Sequence, residues 1–175
     1  MAESTGRYIV SIDQGTSSTK AIAVDEHGMV RATARRAISQ AHPAPGHVEQ
    51  DPIEILDSVY AAIDDVVEQL DGPHRVVAVG ISSQRESAVI WERSTGRPLG
   101  PMLGWQDRRT TDAAEQIRQT GGAAEVRQRS GLPLDPMFSA LKLSWLLDSV
   151  DLDRRRSRAG EIAVGTVDSW LVDSL

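Results

Sequence analysis

Apolar and polar positions alternate from the start of the chain. Residues 8–13, Tyr8-Ile9-Val10-Ser11-Ile12-Asp13, are apolar and β-branched and predict a strand. A polar, glycine-containing stretch over 14–19 precedes a second apolar run at 20–24. Asp25-Glu26-His27-Gly28 then has turn chemistry, with Gly28 free to take positive φ. A third strand over 29–36 completes an antiparallel meander. After a Pro- and Gly-rich loop (39–50), Asp51-Pro52-Ile53-Glu54 carries helix-start signals: a capping aspartate, a proline at the first helical position and a glutamate three residues past the cap. Leu56, Val59, Ile63, Val66, Val67 and Leu70 recur at helical spacing, and Asp71-Gly72-Pro73 ends the helix.

The run Val76-Val77-Ala78-Val79-Gly80-Ile81 is continuously apolar, which predicts a central strand buried on both faces. A short strand at 88–91 and a turn at Ser94-Thr95-Gly96 follow. Helices are expected over 111–119, 123–129 and 139–149, then a strand at 162–164 and a helix starting within 166–168. The last residues, Trp170 to Leu175, read as a helix still in progress, so the chain is expected to be truncated. No internal repeat or low-complexity tract interrupts this order.

Composition narrows the function classes. The 175 residues are 40% hydrophobic and 25% charged, as in ordinary globular proteins, with room for one buried domain. A net charge of -6 argues against nucleic-acid binding through phosphate neutralisation. The basic run Arg154, Arg155, Arg156 and Arg158 reads as a solvated helix face. The absence of cysteine excludes disulfides and thiolate chemistry and fits a reducing compartment. Met1 to Arg7 lacks the apolar core of a signal peptide, and no apolar run approaches the roughly 20 residues that cross a bilayer. A cytoplasmic location, away from membranes, is expected. The histidines at 27, 42, 47 and 74 form no metal-ligand pattern and read as structural.

Four segments carry candidate chemistry. In Asp13-Gln14-Gly15-Thr16-Ser17-Ser18-Thr19-Lys20 a strand-end carboxylate meets a glycine, a run of hydroxyls and a lysine. Such a turn can face phosphate oxygens while Asp13 holds magnesium or its waters; a plain Ser/Thr-rich hairpin is equally consistent. It lacks both the P-loop and the dinucleotide fingerprint. Next, Ser82-Ser83-Gln84-Arg85-Glu86-Ser87 follows the apolar strand at a carboxyl end, where open α/β sheets bind ligands. Arg85 donates and Glu86 accepts, which suits vicinal hydroxyls; a surface ion pair is the alternative. In Trp105-Gln106-Asp107-Arg108-Arg109-Thr110 the indole can cover a substrate's carbon chain or plug the core, with Asp107 paired to an arginine. Last, Gly131-Leu132-Pro133-Leu134-Asp135-Pro136-Met137-Phe138-Ser139 is a stiff two-proline turn before a helix.

Taken in order, these segments resemble the FGGY family of carbohydrate kinases, and within it the branch that phosphorylates glycerol. The likeness also includes His42-Pro43, Pro45-Gly46, Val48-Glu49, Asp51-Pro52 and Gly165-Thr166-Val167-Asp168, and runs through nearly the whole chain. It implies an actin-like, ribonuclease-H-like α/β domain, with helices packed on a mixed sheet that begins with the three-strand meander. It also implies transfer of the γ-phosphoryl group of ATP, with Mg2+, to a small polyol or sugar, glycerol first. Asp13, Thr16, Ser17 and Lys20 would then serve ATP and its metal, with Asp13 at the magnesium. Arg85, Glu86, Trp105 and the position of Met137 would bind the acceptor.

Residues 1–175 would be the N-terminal domain. The general-base aspartate and the domain holding most of the adenosine site are expected beyond Leu175, so this piece alone is expected to be inactive. A homo-oligomer of the full-length enzyme stays open. Three departures stand out: Met137 replaces a usual tyrosine, Ser83 a usual asparagine, and Ser17 and Lys20 a usual threonine and arginine. Another polyol or ketose is therefore the rival substrate, and a short non-catalytic binding domain is the rival class.

Overall fold

The structure, a computed structural model, describes residues 6–70 and 72–175. Residues 1–5 of the polar N-terminus, and Asp71 of the helix-ending turn, lie outside the described residues. In chain order the elements are β1 (Tyr8–Gln14), β2 (Ser18–Asp25), β3 (Val30–Ala37), β4 (Glu49–Gln50), α1 (Pro52–Gln69), β5 (Val76–Ser83), β6 (Ala88–Glu92) and β7 (Met102–Leu103). They continue with α2 (Thr111–Gln119), α3 (Gly122–Ser130), α4 (Ser139–Val150), α5 (Arg155–Arg158), β8 (Ile162–Thr166) and α6 (Val167–Ser174). Two compact units result, one holding the chain up to Ser39 plus Ile53–Gln84, the other Gln40–Pro52 plus Arg85–Leu175.

The first unit is built on the sheet β3-β2-β1-β5. β1 pairs antiparallel with β2 and parallel with β5, and β2 pairs antiparallel with β3, so the expected meander forms. Period-two alternation in β1 buries Tyr8, Val10, Ile12 and Gln14 and exposes Ile9, Ser11 and Asp13. Gly28 takes φ +76° at the β2–β3 turn, as the turn chemistry requires. α1 lies over the sheet: Thr19 Oγ1 meets Ser58 Oγ at 2.6 Å, and Gln69 Nε2 donates to the Thr33 carbonyl at 3.0 Å. Its buried stripe is Ile55, Val59, Ala62, Val66 and Leu70. Leu56, Ile63 and Val67, expected in that stripe, sit half-buried on its flank. The periodicity located the helix but its face is set by contact with the sheet.

The β5 expectation is corrected. Although its sequence is continuously apolar, β5 is an edge strand, and Val77 and Val79 are 51% and 50% exposed. An apolar run shows what a strand can bury; pairing decides its place in the sheet, and burial of its faces depends on what packs over them, which among the described residues leaves Val77 and Val79 half-exposed.

The second unit carries the sheet β4-β7-β6-β8, antiparallel throughout. Its two-residue strands β4 and β7 were not anticipated, being too short for periodicity to register. Ala88, Ile90, Leu103, Leu146 and Ile162 form its core, with Leu99, Leu143, Leu147, Val150 and Val164 packed around them. α6 is pinned at two indoles: Trp91 Nε1 donates to Asp173 Oδ2 at 2.7 Å, and Trp170 Nε1 to the Gly96 carbonyl at 3.0 Å. The arginine run is more paired than its reading as a solvated face: Arg154 bridges to Asp148, and Arg156 to Glu92 and Glu161. Among the described residues no helix is long and apolar enough to cross a membrane.

Candidate functional site

In the first unit, the β1–β2 hairpin places Asp13 directly across from Lys20 in the antiparallel register, both exposed on one face. Gly15, Thr16 and Ser17 form the connection between the strands. The run of hydroxyls divides there. Ser18 accepts from Arg35 Nε at 3.1 Å, and Thr19 is buried against Ser58, so both serve the fold. Ser17 stays at the exposed tip, and Thr16 beside it is half-buried. Parallel pairing puts Ser82 of β5 next to Asp13 on the other side. The strand ends are tied together beneath by Gln14, whose carbonyl accepts from the Gln84 amide at 2.7 Å. The hairpin therefore presents one carboxylate and one ammonium side by side over a firmly hydrogen-bonded base. Among the described residues no cluster of three or more acidic or histidine side chains forms a metal cage. A lone carboxylate suits magnesium that arrives with phosphates and keeps its waters.

In the second unit the start of α4 holds Glu86. Glu86 takes φ +65°, a left-handed conformation that costs a non-glycine residue about 1–2 kcal/mol. Its carboxylate recovers that cost at the start of α4, where Oε2 accepts from the Ser139 amide at 3.0 Å and from its hydroxyl at 2.8 Å. A carboxylate is favoured there by the helix dipole and the unpaired amides of the first turn. Arg85 beside it is exposed.

Trp105 is 38% exposed, which corrects the core-plug alternative. Its neighbour Asp107 is completely buried. Asp107 accepts from the Val48 amide at 2.7 Å and from the Arg109 amide and Nε at 3.0 and 2.9 Å. Arg109 also reaches Glu49 at 2.6 Å and stacks 4.6 Å from the ring centre of Trp145 on α4. Burial works to raise the Asp107 carboxyl, but the Arg109 and backbone hydrogen bonds outweigh it and hold it below the usual carboxylate range. The expected Asp107–arginine pair thus forms, with Arg109 as the partner.

Met137 is half-buried in the two-proline turn, its amide held by Asp135 Oδ1 at 2.8 Å. Asp135 also pairs with Arg108 at 2.9 Å, linking this turn to the loop that follows Trp105. Sequence reasoning passed over Lys142. This side chain is fully buried on α4, four residues before the core residue Leu146. Its Nζ donates to the carbonyls of Pro136, Met137 and Phe138. A lysine in register with an apolar helix face was the available signal.

The chain matches the model of the FGGY family of carbohydrate kinases, N-terminal domain, over residues 8–175. It is 47% identical over 166 residues to glycerol kinase from Aromatoleum aromaticum, covering 94% of this chain and 34% of that protein. It is 48% identical over 169 residues to glycerol kinase from Citrifermentans bemidjiense, covering 96% and 34%. The crystal structure of Plasmodium falciparum glycerol kinase with ADP superposes with a TM-score of 0.87 at 29% identity, over 95% of this chain and 34% of that one. The chain spans about a third of the length of the curated relatives it matches. The mixed α/β fold read from the sequence is the fold of these structural relatives.

Proposed function

Because this chain belongs to the FGGY family of carbohydrate kinases, we propose that it is the N-terminal domain of a kinase for a small polyol, glycerol first. In this reading the γ-phosphoryl group of ATP passes to an acceptor hydroxyl. The observation that carries it is Glu86, an acceptor carboxylate fixed at the start of α4 beside the exposed donor Arg85. Together they match a hydroxyl pair that both donates and accepts.

Each side chain has one task in this reading. Arg85 and Glu86 bind and orient the acceptor's hydroxyls. Trp105 covers its carbon atoms and excludes water from that side. Lys20 balances negative charge on the phosphates, with Ser17 and Thr16 at the same turn. Asp13 would hold magnesium directly or through its water. Charge neutralisation at the phosphoryl oxygens is the chemistry that magnesium supplies when bound. Phosphoryl transfer depends mostly on such positioning, to which this chain's residues contribute at the phosphates and at the acceptor. A cytoplasmic location belongs to the same reading, and a chain without cysteine suits a reducing compartment.

Met137 supports a second reading, in which the acceptor is a longer polyol or a ketose. Its backbone is anchored, yet its thioether cannot donate to a hydroxyl and adapts to an additional carbon. The deciding measurement is kcat/KM of the whole kinase for glycerol and for four- and five-carbon polyols and ketoses, with and without Met137→Tyr. Under the glycerol reading the wild type prefers glycerol, and Met137→Tyr tightens its binding by the worth of one hydrogen bond, about 0.5–1.5 kcal/mol. A wild-type preference of about tenfold or more for a five-carbon acceptor, roughly 1.4 kcal/mol, removes glycerol as the substrate.

A further inference from the structure

Lys142 directs its ammonium at three successive carbonyl oxygens, those of Pro136 at 3.0 Å, of Met137, and of Phe138 at 3.3 Å. Three donors are all that an ammonium has, so this backbone turn takes them all. The side chain is completely buried, on a helix face where an apolar residue would pack without the cost of desolvating a charge. The carbonyls it gathers belong to the segment that carries Met137 and runs directly into Ser139. Ser139 in turn holds Glu86 through its amide and hydroxyl. One buried charge therefore shapes the turn on which both groups depend.

We infer that Lys142 is a positioning residue for the acceptor site: its protonated amine gathers the carbonyls of residues 136–138 and so sets where Met137 and the Ser139-bound carboxylate of Glu86 meet the substrate. This rests on the acceptor role proposed above for Glu86 and Met137. It adds a proton-dependent clamp, because a neutral amine has only two donors and turns a lone pair toward a carbonyl oxygen. Burial pushes the Lys142 ammonium down from 10.5 to about 8, against the charges of Glu86, Asp107 and Asp135, while Arg108 adds to the lowering. The clamp is then complete near neutrality and is lost as pH rises through about 8.

Linkage separates this loss from unfolding. The unfolded chain holds the Lys142 proton more tightly than the folded one, so this group adds stability as pH rises from about 8 toward 10.5. A clamp that fails in that window weakens acceptor binding in a protein whose stability this lysine does not lower.

The test is a pH profile on the whole kinase. Acceptor KM in the wild type is expected to rise about tenfold between about pH 7 and pH 9, as for one controlling ionisation, with KM for ATP flat. In Lys142→Arg, which stays charged throughout, the alkaline rise disappears even if KM at neutral pH is higher. A flat wild-type profile, or the same rise in Lys142→Arg, overturns the proposal.

A second arm needs no substrate. Hydrogen exchange of the amides of residues 137–139, corrected for intrinsic rates, should lose protection above about pH 8 in the wild type. It should hold in Lys142→Arg, and equal behaviour of the two proteins overturns the clamp. If the kinase phosphorylates no polyol, the functional reading fails while this arm still decides the clamp.

Discussion

Glu86 Oε2 accepts two hydrogen bonds from a single residue, Ser139, one from its amide at 3.0 Å and one from its hydroxyl at 2.8 Å. The pair joins the segment after β5 to the first turn of α4. It also holds Glu86 in its left-handed backbone conformation. Ser139→Ala deletes the hydroxyl donor and spares the amide. Acceptor KM is expected to rise about two- to twelvefold, the worth of one hydrogen bond of about 0.5–1.5 kcal/mol, with KM for ATP unchanged. Steady-state kinetics in both substrates check this, and an equal rise in both constants counts against the assignment of Glu86 to the acceptor.

Arg85→Ala and Asp13→Ala should separate the two substrates, since these residues lie in different units. Arg85→Ala is expected to weaken acceptor use by about 1.5–3 kcal/mol in kcat/KM while ATP binding holds. Asp13→Ala is expected to abolish most magnesium-dependent turnover with little change in acceptor affinity. Isothermal titration of each ligand, beside initial rates, reads the difference directly.

Asp107→Ala removes the completely buried partner of Arg109 and frees the Val48 amide. Breaking a buried pair from one side costs up to about 3–5 kcal/mol, reduced here because Arg109 keeps Glu49, and the loss should appear in urea denaturation. The acid limb follows from the same carboxylate. Its folded pKa is depressed, so its contribution is complete above the ordinary aspartate value of about 4 and falls away as pH drops below it. Wild-type stability should therefore decline more steeply in acid than that of an Asp107→Asn variant.

Gly165→Ala should destabilise the second unit. An added Cβ would sit 2.9 Å from Ser169 Cβ and 3.2 Å from the Trp91 ring, where α6 turns back onto β8. Overpacking of this kind costs about 1–3 kcal/mol, measurable as a lowered Tm. An unchanged Tm would show that α6 can shift outward without loss.

The exposed edge strand β5 makes the 175-residue chain prone to edge-to-edge pairing. Val79→Lys puts a charge on that edge at a half-exposed position. Sedimentation at increasing concentration should show less self-association for the variant than for the parent chain.

The local elements were legible in the chain because they follow from local chemistry. The β1–β2–β3 meander needs only alternation and the Asp25–Gly28 turn, and α1 needs only its proline start and 3.6-residue period. Helix α2 was read at its observed bounds for the same reason. The order of motifs also identified the family, because the motif residues keep that order along nearly the whole chain.

What needed the tertiary structure was every choice between partners. Which face α1 buries, and that β5 is an edge, depend on the sheet around them. That Ser18 and Thr19 serve the fold while Ser17 stays at the tip of the turn is decided by Arg35 and Ser58. Arg109 and Glu49 are 60 residues apart in sequence, and Glu86 and Ser139 are 53 apart. No local pattern encodes such pairs. Lys142 is the sharpest case: in sequence it is a lysine on a helix, and only the tertiary structure shows three carbonyls converging on its amine. Hydrophobic period and turn chemistry act over a few residues, whereas burial, pairing and proton affinity are set by whatever the fold brings alongside.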